Sequence, residues 1–367
     1  MTQTFISTLY TLPGEYKLNI SEITERLSEF HKYKNPNIIP QLSKIMKKTG
    51  VNYKRSCIDY DNYIKKYGIQ NNLNFSYLNK MTIKNASKYS IICSKKCIDL
   101  FMNKYKIQEN PITHIIVNSS SVFNTPHIDV DIMESLNLIN TTNRRVMSSM
   151  GCCGGAVAIQ TAKEICKDEN NVVLVVCAEC VSPFLYNSKK ELQNNKDIIS
   201  NITADYLFSD GFSSLIITSN PKYKSNIVLG NTTTYTVPNT KNIMQINIGP
   251  KNLIGTFDSR FPQIVSSVMN KMSLNKNNIN LVHPGGKFTL DKIKCDHNIN
   301  INQSYKILHN YGNMLSSTIW FLLNEYLNNA NCNKKHNVDL WTMGQGIQVT
   351  KTTITVDYIN NKIISKL

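Results

Sequence analysis

The sequence predicts an α/β fold of five layers, ordered α/β/α/β/α and built from two duplicated halves. Three observations predict it. From residue 111 onward, apolar β-branched runs alternate with segments of helical period. The last third of the chain repeats the scheme of the middle third. Each copy also carries a helix opened by glycine and followed by small residues. A strand buried on both faces reads as a continuous apolar run, and a helix packed from all sides favours small side chains.

The first hundred residues read as mixed helical: "ISEITERLSEFHKY" carries an apolar stripe between charges, "QLSKIMKKTGVNYKR" has a basic face, and "SKYSIICSKKCIDLFMNKY" is a third helix candidate. The first unit follows. "ITHIIVNSS" is a strand ending in hydroxyl residues, "GCCGGAVAIQTAKEICKD" is a helix with Ala156, Ile159, Ala162, Ile165 and Cys166 at helical spacing, and "NVVLVVCAE" and "FSSLIITSN" are strands. In the second unit "NINLVHPGG" is a strand ending in a polar loop and "YGNMLSSTIWFLLNEYLNN" is a helix. "NVDLWTMGQG" and "IQVTKTTITVDYI" are strands. No Gly/Ser-rich linker divides the chain, and the halves are expected at 1–220 and 221–367.

The chain has 367 residues, enough for a sizeable core. No basic start precedes an apolar run and no apolar stretch reaches the roughly 18 residues of a membrane helix, so a cytoplasmic protein with reduced thiols and no membrane partner is expected. The formal net charge of +16 fits scattered surface lysines, or attraction to phosphorylated small molecules or nucleic acid. Zinc-finger spacing, an Arg-rich arm and aromatic RNA-binding motifs are lacking, so no nucleic-acid partner is expected.

Chemistry concentrates at "MGCCGG", residues 150–155. A cysteine at the first position of a buried helix sits near the positive end of the macrodipole and near unpaired N–H groups, which favour thiolate. Cys152, after Gly151, takes that place, and Cys153 points about 100° away. Two small core cysteines are the plain alternative, and this segment alone does not separate the readings. The second half does. If a pseudo-two-fold relates the halves, Asn313 stands opposite Cys152 and His283 ends a strand facing the same crevice. His283 would then hold the thiolate as an ion pair and Asn313 would donate a second hydrogen bond.

"GCCGGAVAIQTAKE", "LFSDGFSSLII", "LVHPGGKFTLDKI" and "YGNMLSSTIWFLLNE" resemble, in order and spacing, the signature segments of type III polyketide synthases, the chalcone and stilbene synthase family. "FISTLYTLPGEYKLNISEI" and "WTMGQGIQV" extend the resemblance over nearly the whole chain. It implies a homodimer of thiolase-fold subunits without metal or bound prosthetic group, using an acyl-CoA starter and malonyl-CoA as substrates. It implies Cys152 as the acyl-carrying nucleophile, His283 and Asn313 as thiolate partner and oxyanion hole, and Phe208 as a wall beside the malonyl group. The expected activity is iterative decarboxylative condensation to a pyrone, resorcinol or phloroglucinol-type ring. The alternatives are a single-round β-ketoacyl synthase and a catalytically idle thiolase-fold binding protein. Retention of Cys152, His283 and Asn313 argues against the last.

Departures from the plant pattern bear on the product. Cys153 follows the nucleophile where an aromatic is common, and either Gly255 or Phe257 falls at a second gating position. Thr125 takes the place of a methionine-like residue in a loop that crosses the dimer, and "TMGQG" replaces a glycine- and proline-rich loop. By the same resemblance Lys44, Lys47, Lys48 and Arg55 are candidates for the coenzyme A phosphates, against the reading of a solvated helix face. Ser120 and Ser121, ending a strand at the crevice, either line the substrate cavity or are ordinary polar strand ends. Cys93, Cys97, Cys177 and Cys180 suggest a four-cysteine metal site only weakly, because Cys177 and Cys180 point to opposite faces of a strand.

Overall fold

A computed structural model describes residues 3–357 apart from 33–35, 68–72, 139–141, 186–194, 249–252 and 330–333. Nine strands form one sheet, in the order Ile279–Val282, His336–Gly344, Gln348–Val356, Ile227–Thr236, Thr4–Pro13, Gly211–Thr218, Val172–Glu179, His114–Ser119 and Asn143–Ser148. The order contains a repeat. Thr4–Pro13 pairs antiparallel with Gly211–Thr218, which pairs antiparallel with Val172–Glu179, which pairs parallel with His114–Ser119. Ile227–Thr236, Gln348–Val356, His336–Gly344 and Ile279–Val282 follow the same succession of antiparallel, antiparallel and parallel. The halves meet where Thr4 and Phe5 pair with Leu229 and Val228. Asn143–Ser148 extends the first half at its free edge and is mostly exposed.

The layers follow from which helix covers which face. Helix Phe75–Tyr105 lies outside the first half, with Ala86, Tyr89, Cys93, Cys97 and Phe101 buried at helical spacing against the sheet. Helix Phe261–Lys271 packs on Gln348–Val356 of the second half. Between the half-sheets run helices Gly154–Ile165 and Thr318–Asn329, each touching strands of both halves and each entered through a 3₁₀ turn, Gly151–Cys153 and Leu315–Ser317. The structure is the expected α/β/α/β/α thiolase-type fold with its duplicated halves. Of the first hundred residues, Thr4–Pro13 is a central strand and not part of a helical region.

Contact between the two central helices explains their small residues. A Cβ on Gly155 would lie 2.5 Å from the Ser316 carbonyl oxygen and 2.7 Å from Trp320 Nε1, and one on Gly154 would lie 2.7 Å from Asn118 Cγ. Strand Val172–Glu179 is buried throughout, and its alternation separates the thiols as expected. Cys177 joins the central cluster with Ile159 and Trp320, whereas Cys180 joins the outer one with Cys57, Cys93 and Cys97, so the four cysteines of the weak metal reading do not meet. Among the described residues, no helix is long and apolar enough to cross a membrane.

Overpacking a close-packed core costs about 1–3 kcal/mol. Gly155→Ala is therefore expected to lower the unfolding free energy by about that amount, read as a shift of the urea midpoint at unchanged slope.

Candidate active site

The turn Gly151–Cys153 begins at a backbone angle open to glycine: Gly151 has φ +54° and its N–H donates to Ser120 Oγ at 2.8 Å. Cys152 thus sits inside a 3₁₀ turn, before the α-helix starts at Gly154, and not at the first α-helical position that the sequence suggests. Its pseudo-symmetric counterpart supplies Asn313. The Asn313 backbone bridges to Phe208, with Ser209 N donating to Asn313 O at 2.9 Å and Asn313 N donating to Leu207 O at 2.8 Å. Asn313 Oδ1 accepts from Leu315 N at 2.9 Å, which fixes the carboxamide, and its Oδ1 and Nδ2 both lie 3.9 Å from Cys152 Sγ. Both residues are almost wholly buried.

His283 follows strand Ile279–Val282 and is anchored by its N–H to Trp341 O at 2.8 Å. Trp341 belongs to strand His336–Gly344, whose far end packs on the Gly151–Cys153 turn. One strand therefore supports both the imidazole and the thiol. The His283 ring is fully buried, and neither nitrogen has a hydrogen-bond partner among the described residues.

The electrostatics differ from expectation. Burial pushes the Cys152 thiol well above its ordinary value, with the nearby Cys153 and Glu179 adding to the rise and the Asn313 hydrogen bond opposing it. Burial alone pushes His283 down to about 3. Loss of hydration disfavours the charged form of each group. Both shifts favour the uncharged form of the group concerned.

The other expected residues divide. Ser120 reaches the nucleophile turn through Gly151, whereas Ser121 accepts from Cys180 N at 2.9 Å, faces Ser119 Oγ at 3.2 Å and hydrogen-bonds toward Glu179. Phe208 is buried in the same apolar cluster as Cys152, with Leu315, Trp341 and Met343. Gly255 and Phe257 lie on strand Leu253–Phe257, which pairs with Met244–Ile248 and packs on helix Asn195–Leu207 leading to Phe208. Lys44, Lys47 and Lys48 share one exposed face of helix Ile39–Thr49. Arg55 lies on strand Tyr53–Ser56 with its guanidinium over the Tyr311 ring at 5.2 Å, its backbone tied to Ser209 and Asp210 and its Nε buried without a hydrogen-bond partner among the described residues.

Glu179 went unread in the sequence. It is fully buried at the end of strand Val172–Glu179, accepts from Ser316 Oγ and from Ser120 N at 3.1 Å, and is pushed up to about 7 by burial. A lone acid ending an apolar run, "VVLVVCAE", is the signal that could have found it. A second buried acid lies further off. Cys57, Cys180 and Asp210 bring ligand-type atoms within 4.8 Å of one another. The Asp210 oxygens are already committed to the N–H groups of Cys57, Val181 and Ser182 and to the Ser182 hydroxyl, which leaves a poor metal ligand.

Comparison with known families fits this arrangement. A family model described as chalcone and stilbene synthases, N-terminal domain, matches residues 26–221, and one described as chalcone and stilbene synthases, C-terminal domain, matches residues 235–357. The chain belongs to the chalcone and stilbene synthase family. That membership supports a Claisen-condensing acyltransferase in general, of the type III polyketide synthase kind. The residues 222–234 between the two family domains include the start of strand Ile227–Thr236, where the half-sheets join.

These shifts make a measurable expectation. Alkylation of Cys152 by iodoacetamide, located by peptide mapping, should climb with pH into the alkaline range without a plateau near neutrality. The Glu179 carboxylate, present above about pH 7, opposes the thiolate. Glu179→Gln removes that charge and is expected to shift the alkylation profile to lower pH.

Proposed function

We propose that this family member condenses an acyl-CoA starter with malonyl-CoA through a thioester on Cys152, extends the chain over several rounds, and releases a cyclised product. The observation that supports the reading is the fixed carboxamide of Asn313 at 3.9 Å from the Cys152 sulfur, together with the fully buried His283 imidazole, whose two nitrogens have no partner among the described residues. A buried polar atom without a partner costs about 1–3 kcal/mol, a cost a fold retains where a ligand supplies the missing bond.

The cycle uses these groups in turn. Cys152 Sγ attacks the thioester carbonyl of the starter while its proton passes to a ring nitrogen of His283. Asn313 Nδ2 and the protonated imidazole donate to the oxyanion, and coenzyme A leaves as the thiol with the proton that His283 returns. Malonyl-CoA then loses CO₂, and its enolate oxygen takes the same two donors. Phe208 offers an apolar wall that disfavours the carboxylate. The enolate carbon attacks the Cys152 thioester, lengthening the chain by one ketide unit and freeing the sulfur. Coenzyme A thioesters are the substrates of this cycle, and the lysine face of Ile39–Thr49 is a suitable surface for their phosphates. A homodimer suits the exposed sheet edge Asn143–Ser148, beside which Thr125 and Arg144 line a cavity of about 360 Å³.

The reading is tested by product formation from labelled malonyl-CoA and a panel of short, aromatic and long acyl-CoAs. Products with several ketide units support it, and a lone β-ketoacyl product would replace it with single-round condensation. Cys152→Ala is expected to abolish condensation, whereas Cys153→Ala, whose thiol donates to Gln348 O at 3.1 Å on the far side of the turn, should keep substantial activity. Asn313→Ala, which removes one oxyanion donor, should lower kcat by about 10²–10³.

A further inference from the structure

The segment from His283 to Phe288 runs from the crevice to the surface. His283 is fully buried, whereas Phe288, five residues on, is 58% exposed, the most exposed large apolar side chain among the described residues. Between them the chain follows the walls of the crevice. A Cβ on Gly285 would lie 3.8 Å from Met343 Sδ, and one on Gly286 would lie 3.8 Å from Leu207 Cδ1. Met343 and Leu207 belong to the apolar cluster of Cys152 and Phe208. The proposed cycle gives Phe288 no part.

The surface that this segment reaches adjoins the lysine face. Helix Lys287–His297 begins where helix Ile39–Thr49 ends at Gly50, and a Cβ on Gly50 would lie 2.7 Å from Lys287 Cβ, so the two helix ends touch. Lys47 and Lys48 stand exposed in the last turn of Ile39–Thr49. The Lys287 ammonium is committed to Asp291, one turn along its own helix. Thr289 and Leu290 turn inward, which leaves the Phe288 ring in water beside a cluster of cations. A single exposed apolar side chain is ordinary. What singles out Phe288 is its place, at the outer end of the segment that holds His283 and next to the helix that carries the lysines.

We infer that Phe288 is the platform on which the adenine of the coenzyme A thioester stacks. This deepens the proposed function and rests on its choice of substrates. The reach agrees. Five residues span at most about 18 Å. About thirteen bonds separate the sulfur of coenzyme A from its nearer phosphorus, roughly 16 Å when extended at ordinary bond lengths. A thioester with its carbonyl at Cys152 can therefore bring its diphosphate out to the level of the lysine face and its adenosine just beyond, where the ring lies open. The chemistry agrees as well. A purine offers a π-face to an aromatic side chain, and lysines meet phosphates as point charges. Phe288 is thus a specificity residue for the nucleotide end of the carrier, and the acyl group is left to the walls of the crevice.

The test measures binding of coenzyme A and of 4′-phosphopantetheine to the full chain by calorimetry, with turnover of the same acyl group on each carrier alongside. Phe288→Ala is expected to weaken coenzyme A by about five- to tenfold, the size of one base–aromatic stack at an exposed position. It should move 4′-phosphopantetheine, which lacks the base, far less, and should raise KM for the acyl-CoA more than it lowers kcat. Phe288→Trp, which keeps an aromatic face, should retain the affinity. ATP offers the same base without the arm and should bind far more weakly than coenzyme A. An alanine variant that weakens both carriers alike or neither, or wild-type protein that binds ATP as well as coenzyme A, would overturn the assignment and leave the condensing function standing. Protein that binds coenzyme A with the expected dependence on Phe288 but forms no ketide product would remove the condensing function alone, and protein that binds no coenzyme A would remove both.

Discussion

The close approach of two turns at the centre of the molecule governs everything around them. The 3₁₀ turns Gly151–Cys153 and Leu315–Ser317 enter helices that run between the half-sheets. They can touch only because Gly154 and Gly155 present no side chain to Asn118, Ser316 and Trp320. That contact sets a thiol from one half against a carboxamide from the other. Neither half makes a site alone, and the duplication matters to chemistry because it supplies two unlike turns to one spot.

Burial at that spot works against ionisation. The thiol is raised, the imidazole is lowered and Glu179 is held close to neutrality, all chiefly by loss of water. Two neutral groups are cheaper to bury than two charges. The geometry can therefore be stable without substrate and still be ready for proton transfer once a polar thioester enters. Asn313 differs from the titratable groups: Leu315 N holds its Oδ1, so its carboxamide is fixed whatever the protonation of its neighbours.

Much of this was legible in the sequence. Continuous apolar runs located the strands of both halves, and the repetition of a glycine-opened helix placed Cys152 opposite Asn313 before any distance was known. Thr4–Pro13 was harder to place, because "TFISTLYTLP" mixes hydroxyl and apolar residues and its partners lie about 200 residues away. The roles of Ser120 and Ser121 stayed open for a related reason. Consecutive strand-end serines alternate in direction, and only tertiary contact shows which one meets the turn and which one caps Cys180. The protonation of the pair was hidden as well. Helix position suggested a thiolate, but desolvation is a property of the assembled core and has no local signature.

The seam between the half-sheets also constrains how the molecule is made. Its first strand closes on Gly211–Thr218 along one side and on Val228 and Leu229 along the other. During synthesis the opening segment must stay unpaired until more than two hundred residues have followed it, since loop closure of that span precedes any reward. Thereafter it serves as the template edge on which the second half-sheet is laid. The alternation of Thr and Ser with Phe, Ile and Leu tempers the stickiness of that strand while its edges are unpaired.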